Sequence, residues 1–295
     1  MFDYTLFQWI LFFYFYCFFG WCFESAYVPI CQKKLINRGF MRGPFLPLYG
    51  SGAIMMLVVS KPFEKYIPLV YLAGCIGATG LEYVTGVAME ALFAVRYWDY
   101  SHKRFNYKGH ICLSSTLAWG ALTVLVTRYI HPWVERLVLQ IPDKLEHALT
   151  LGISVLVSGD FVLSFKAALD LKDILYRLEK VNDEIAHLQK RVDVLLAVAG
   201  DEIQERKIEL IEMKDDFKDN FMEKKDELVE KADEIRDDIK GTLGDLRLKL
   251  QLSQEYKERL FRFKDYYKRH MVLNNPLSSN RFKKVLKEIR EWLEK

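Results

Sequence analysis

Two rhythms of apolar residues divide the chain. Between residues 6 and 28 apolar side chains are almost continuous, with Glu24 the single charge. Four further apolar runs follow at residues 45–60, 67–95, 111–130 and 145–169. A helix needs about 20 residues to cross the hydrocarbon of a bilayer, so the pattern predicts five membrane spans, the second of them short. The first run has no basic leader and no small-residue cleavage site, which separates it from a signal peptide and predicts a retained helix.

Beyond residue 170 the rhythm changes. Leu171, Ile174, Leu178, Val181, Ile185, Leu188, Val192, Leu195 and Ala199 recur in alternating steps of three and four, the a/d seam of a coiled coil. Gly200 is expected to interrupt it, and Gly241 and Gly244 to mark soft points. Asn274-Asn275-Pro276 predicts a turn before a final amphipathic helix over residues 280–295. The fold class expected is all-α, with a polytopic helical membrane domain, 1–169, followed by a cytoplasmic coiled-coil and helical domain, 170–295.

Charge sharpens that division. Residues 1–169 hold 14 Lys and Arg and 10 Asp and Glu, whereas residues 170–295 hold 28 and 29. The second part therefore has the composition of a solvated surface. Inside it, residues 201–246 carry a net −8 and residues 247–295 a net +8, so these segments are expected to fold against each other or against a neighbouring subunit. A homo-oligomer through the coiled coil is the expected assembly. The basic, aromatic stretch "YKERLFRFKDYYKRH", residues 256–270, is a candidate surface for anionic membrane lipid or another protein. The acidic segment beside it argues against nucleic acid.

Basic residues in the short loops set the orientation. Lys33, Lys34, Arg38 and Arg42 follow the first run and Arg96, Lys103, Arg104 and Lys108 the third, against five basic residues in the alternate loops. This bias predicts a multi-pass plasma-membrane protein with its amino terminus outside and its tail in the cytoplasm. Five cysteines show no metal or redox spacing and read as packing residues.

The candidate chemistry lies in the apolar part. Glu24, Glu82, Glu90 and Asp160 are costly inside a bilayer and should face the bundle interior. Arg42, Arg96 and Arg104, with Asp99, Asn106 and His110, stand in the flanking loops. In "NRGFMRGPFLPLYGSGA", residues 37–53, four glycines permit close packing and Pro44 and Pro47 stiffen the start of the second span. That stretch is expected to bring Arg42 and closely approaching backbone to the mouth of a carboxylate-lined cavity. Trp98 and Tyr100 read as an interfacial aromatic belt, and Gly74, Gly77 and Gly80 as a packing stripe. His110 has no second ligand at metal spacing and is assigned a hydrogen-bonding role, so no metal is expected. No phosphate-cradling Walker loop and no nucleophile signature occurs, and no cofactor is expected.

The ordered segments "GWCFES", "NRGFMRGPFLPLYGSG", "LEYVTGVAMEALFAVRYWDYS" and "FNYKGHICLSSTLAWG" resemble the bacterial membrane family labelled "putative ABC transporter permease", CmpB-like, over about residues 5–130. The family pattern has arginine where this chain has His110. The resemblance implies a permease-like or transport-associated protein, with Glu24, Arg42, Glu82, Glu90, Asp99 and Asn106 inside the family motifs and energy drawn from a separate ATPase subunit or a proton gradient. Two alternatives stand beside it: an integral membrane enzyme acting on a lipid headgroup, with Glu82 or Glu90 as acid/base and Arg42 or Arg96 holding phosphate, and a membrane-anchored coiled-coil scaffold.

Overall fold

The computed structural model describes residues 4–32, 39–212, 218–259 and 266–293. Lys33, Lys34 and Arg38, and the centre of the basic aromatic stretch at 260–265, lie outside the described residues. The chain forms two compact units, one of Met1–Asp173 with Phe261–Lys295 and one of Ile174–Leu260.

Helix α1, Leu6–Gln32, opens on a reciprocal cap. The Gln8 backbone N–H donates to the Thr5 hydroxyl and the Thr5 N–H donates to the Gln8 side chain, so two amides that no helical carbonyl can reach are satisfied. Helix α2, Pro47–Ser60, starts with proline in its first turn, where a missing N–H is harmless. Its 14 residues span about 21 Å, short of a full hydrocarbon thickness. Helix α3, Ile67–Phe93, ends on Ala94 in the left-handed conformation, with the Ala94 N–H donating to the Glu90 carbonyl. Lys172 reaches back to donate to the Leu92 carbonyl, a cation placed where the helix dipole favours one.

A short hairpin, β1 at Asn106–Tyr107 and β2 at Ile111–Cys112, leads into α4, Leu113–Leu125. Cys112 and Ser115 cap α4 reciprocally. The helix continues through a π-helical turn, Val126–Ile130, into α5, His131–Leu139. The helical path of the fourth apolar run thus ends at Leu139 rather than near residue 130.

Helix α1 packs on α2, α2 on α3 and α3 on α4. Small residues decide how closely. A Cβ at Gly74 would overlap Thr123 of α4, and one at Gly120 of α4 would overlap Cys75 of α3, so each helix receives a side chain of the other. The core between them includes Leu11, Phe12, Tyr16, Ala53, Met56, Leu57, Ala78 and Val134. Large apolar side chains such as Ile76, Val155 and Leu156 stay exposed on the outside. Among the described residues three helices, α1, α3 and α6, are long and apolar enough to cross a membrane.

Helix α6, Asp143–Glu212, runs 70 residues without a break at Gly200, and α7, Lys218–Arg259, passes through Gly241 and Gly244. A helical glycine costs only about 1 kcal/mol, which packing along a long helix absorbs. In the second unit α7 runs antiparallel to α6, with Lys249 2.5 Å from Glu184 and Arg191 2.7 Å from Asp238. Along α6 of this unit Leu178, Val181, Ile185, Leu188, Val192 and Leu195 are buried or partly covered, as are Leu175 and Glu184 outside the heptad positions, and on α7 so are Ile235, Ile239, Thr242, Leu246, Lys249, Leu252 and Ser253. The chain then turns at Pro276 between α8, Tyr266–Asn274, and α9, Lys283–Leu293, where Met271, Val272, Leu277, Phe282 and Ile289 are buried.

Candidate functional site

Glu82 sits 15 residues into α3, about 22 Å along its axis, and is only 4% exposed. Its carboxylate accepts three hydrogen bonds: from the Tyr100 hydroxyl at 3.1 Å, the Ser115 hydroxyl at 3.3 Å and the Trp119 indole N–H at 3.0 Å. All three donors are neutral. Ser115 and Trp119 lie one helical turn apart on the face of α4 that meets α3, and Tyr100 comes from the loop that links α3 to the hairpin. Burial and the adjoining carboxylate push the Tyr100 phenol well above its ordinary range, so it stays a donor.

Glu24 belongs to the same neighbourhood through Tyr49 of α2. The Tyr49 hydroxyl donates to Glu24 at 2.6 Å, and its ring lies 6.3 Å from that of Trp119. Gly20 makes room for that ring: a Cβ there would fall 2.4 Å from the Tyr49 Cβ. Two carboxylates on two helices are thus linked through a tyrosine and a tryptophan.

Arginine serves a second cluster at the end of α3. The Arg96 Nε lies 2.8 Å from Glu90 Oε1, an ion pair without the alignment of a hydrogen bond, and its Nη1 is 3.8 Å from Asp99. His110, buried, places Nε2 3.1 Å from the other Glu90 oxygen. Burial and then the Arg96 charge push His110 below the ordinary histidine range, against the pull of Glu90 and Asp99, so at neutral pH the ring donates an N–H to Glu90. Asp99 is opposed by burial, but the Ser101 hydroxyl and N–H, the Ser278 hydroxyl and Arg96 outweigh it and hold the carboxyl below its usual range. Asn106 shapes this loop by donating to the Lys103 and Ser101 carbonyls and accepting from the Gly109 N–H. Gly109, at φ +75°, has no room for a Cβ beside Arg96 and Asp99.

The last described segment closes over this cluster. Arg96 and Ser278 exchange backbone hydrogen bonds of 2.7 and 3.0 Å, and the Ser278 hydroxyl donates to Asp99. Asn275 reads the backbone of Gly39 in both directions, accepting from its N–H at 3.2 Å and donating to its carbonyl at 3.1 Å. The loops after α1 and α3 are therefore tied to one turn of the tail.

Of the ten sequence-derived candidates, Glu90, Arg96, Asp99 and His110 come together directly, Asn106 braces them, and Arg104 is exposed. Glu24 and Glu82 form the inner group. Asp160 stands apart and accepts the Gly43 N–H at 2.9 Å, which pins "RGP" to α6; a Cβ on Gly43 would sit 3.1 Å from that oxygen. Arg42, one residue earlier, is exposed. Among the loop aromatics read as an interfacial belt, Tyr100 donates to Glu82 and Trp98 donates its indole N–H to the His110 carbonyl. Tyr49, Ser115, Trp119, Asn275 and Ser278 carried no signal in their spacing that tied them to the acids. A cavity of about 410 Å³ opens elsewhere, between α1, α2 and α6, lined by Trp9, Ile10, Phe13, Tyr14, Ile54 and Ser154. None of the ten candidates lines it.

Comparison with known proteins adds the family and nothing narrower. No curated protein and no solved structure matches this chain. The model of one family, described as "Putative ABC-transporter type IV", matches residues 11–165, from the second turn of α1 into α6, and so takes in both carboxylate groups and the loops that hold them. Matching more than half of the sequence, it places this chain in that family of ABC-transporter-related membrane proteins.

Proposed function

We propose that this chain is a five-span transporter subunit of the plasma membrane, its amino terminus outside and its tail cytoplasmic, in which the Glu82 group handles the transported species. The observation that carries the reading is Glu82 itself. A carboxylate deep in an apolar helix is expensive, and this one is held by three neutral donors from two other elements. Such donors can be exchanged one for one with the donors or the proton of a passing solute. An arginine locked on the carboxylate could not be displaced so easily.

The topology has its own support. Loops after the first and third spans must lie on one side of a bilayer, and a tail after the fifth span must lie on that side too. Asn275 on Gly39 and Ser278 on Arg96 are contacts of that kind. The α6–α7 pair is read as an antiparallel coiled coil on which a second copy of the chain assembles. Lacking a Walker loop, the chain would draw its energy from a separate ATPase or from a proton gradient. Of the two arginines that a lipid-headgroup enzyme could use for phosphate, Arg96 is engaged by Glu90 and Asp99 and Arg42 is exposed.

The test is solute profiling of a strain deleted for the gene and complemented with the wild type or with Glu82→Gln. The expected result is a solute class whose accumulation changes on deletion and is restored only by the wild type, with equal amounts of both proteins in the membrane. Full restoration by Glu82→Gln, or an unchanged profile on deletion, would overturn the proposal.

A further inference from the structure

A second buried polar group lies at the opposite end of the bundle, where the π-helical turn hands over to α5. His131 is 5% exposed. The π turn, with its extra residue, rotates the residues that follow it relative to an uninterrupted α-helix, and His131 emerges facing α1. Phe12 lies edge-on to the imidazole at 5.0 Å. Both ring nitrogens meet phenols: Nδ1 is 3.0 Å from the Tyr16 hydroxyl and Nε2 3.4 Å from the Tyr4 hydroxyl. Tyr4 in turn donates to Glu135, one turn along α5. Glu135 is half-buried, whereas Tyr16 is in the core.

The hydrogens in this chain follow from valence. Tyr4 has one proton and gives it to Glu135, so it can only accept from His131, and Nε2 carries the ring hydrogen. Nδ1 is then the acceptor and Tyr16 the donor. The result is an unbroken, one-directional series: Tyr16 to His131, His131 to Tyr4, Tyr4 to Glu135. The charged and titratable groups acting on the ring are those two tyrosines, Glu135 and, from the end of α2, Lys61.

From this geometry we propose that Glu135, Tyr4, His131 and Tyr16 are a proton relay, passing protons in either direction between Glu135 and the bundle interior beyond the Tyr16 hydroxyl. The series reverses when each proton moves one place toward Glu135: Tyr16 O–H to Nδ1, Nε2–H to Tyr4 and Tyr4 O–H to the carboxylate, while the Tyr16 oxygen takes a proton from the inner side. The acid then donates to Tyr4, Tyr4 to Nε2, and Nδ1–H to Tyr16. Return to the observed arrangement breaks the Glu135 O–H, Tyr4 O–H and Nδ1–H bonds. It makes Tyr4 O–H, Nε2–H and Tyr16 O–H bonds in their place. The proton displaced from Tyr16 passes to water or a carboxylate on the inner side, and no electrons are transferred. Tyr16, Gly20 and Glu24 fall at i, i+4 and i+8 on one face of α1, so Glu24 lies about 12 Å further along the axis in the direction of delivery. Use of the relay as an energy source rests on the transport reading; its chemistry does not.

The relay is tested on full-length protein labelled with ¹⁵N-histidine in lipid nanodiscs, with the His131 resonances identified by their loss in His131→Gln. With Glu135 ionised, His131 is expected to be neutral with hydrogen on Nε2. As the sample is acidified across the range over which the protein stays folded, it is expected to change to the Nδ1–H form, and in Glu135→Gln this response should vanish. Tyr16→Phe keeps the ring in the core and removes the donor to Nδ1, so it provides a folded variant whose His131 shifts move if His131→Gln does not fold. One unchanged tautomer across that range in the wild type, or the same pH response in Glu135→Gln, would overturn the relay. No uptake measurement enters, so the relay and the transport reading fail separately.

Discussion

Removing a single donor from Glu82 measures whether the carboxylate is held as described. Trp119→Phe keeps an aromatic ring on α4 and deletes the indole N–H that lies 3.0 Å from Glu82 Oε2. Hydrogen bonds to charged acceptors are worth about 1.5–3 kcal/mol in soluble proteins. Between membrane helices, double-mutant cycles average only about 0.6 kcal/mol and reach about 1.7, because the unfolded chain in lipid finds other partners. The two limits bracket a coupling of about 1–2 kcal/mol between Trp119 and Glu82. Trp119→Phe also loses packing, its ring being 6.3 Å from Tyr49, so the single-mutant change will exceed the coupling. A cycle of wild type, Trp119→Phe, Glu82→Met and the double variant, in which methionine offers no oxygen acceptor, removes that part. Unfolding would be followed in detergent micelles by a denaturing-detergent titration. Additivity within about 0.3 kcal/mol would refute the reasoning, since it would mean that the indole and the carboxylate do not interact.

Three further outcomes follow from the packing and the electrostatics. Gly74→Leu and Gly120→Leu should abolish monodisperse protein on size exclusion, because even a Cβ at either site falls within 2.1–2.4 Å of a neighbouring helix's side chain; Gly80→Ala, which meets nothing within 4 Å, should not. Asn275→Ala removes both bonds to the Gly39 backbone, about 1–3 kcal/mol together, and should speed limited proteolysis between α8 and α9; equal cleavage rates would count against the tie. His110 has a folded-state pKa depressed below the ordinary 6.5, so its contribution is complete above that value and is lost as pH falls toward the folded pKa. Asp99, also depressed, acts in the same direction below about pH 4. Thermal stability should therefore fall as pH drops below about 6.5, and His110→Gln should flatten the first part of that fall.

The helices were legible in the sequence because membrane segments and a heptad stripe each have a period that one chain displays by itself. Glu24, Glu82, Glu90 and Asp160 stood out for a similar reason, since a charge in an apolar run is costly wherever it is placed. Their partners did not stand out. Tyr49, Ser115 and Trp119 are ordinary residues of apolar helices, and Tyr100 and Trp98 read as residues of a membrane interface. Only the close approach of α1 to α2 and of α3 to α4, set by Gly20, Gly74 and Gly120, turns these side chains toward the acids. The arginines were assigned to the carboxylates as a set because opposite charges attract. In the structure Arg96 serves Glu90 and Asp99, and Glu82 takes neutral donors. Gly200 was expected to interrupt the seam, and Gly241 and Gly244 to mark soft points, because propensity counts each residue alone; a cost of about 1 kcal/mol at each leaves α6 and α7 continuous through them.

The return of the tail changes what a truncation can reveal. Residues 275–278 bond to Gly39, Arg96 and Asp99, so a chain ending after the fifth apolar run loses the covering of the Glu90–Arg96–His110 cluster along with the α6–α7 pair. Two backbone bonds, two amide bonds from Asn275 and one hydroxyl bond are broken at once, and Asp99 loses a donor that helps to keep it ionised. Inactivity of such a fragment would thus not assign the activity to the helical pair. The separation needs the α8–α9 segment returned as a distinct piece. If that segment restores what truncation removed, its contribution is the closure of the loops, and the helical pair is dispensable for it. If it does not, the pair itself is required. The tail is therefore two physical objects, one of which completes the membrane unit.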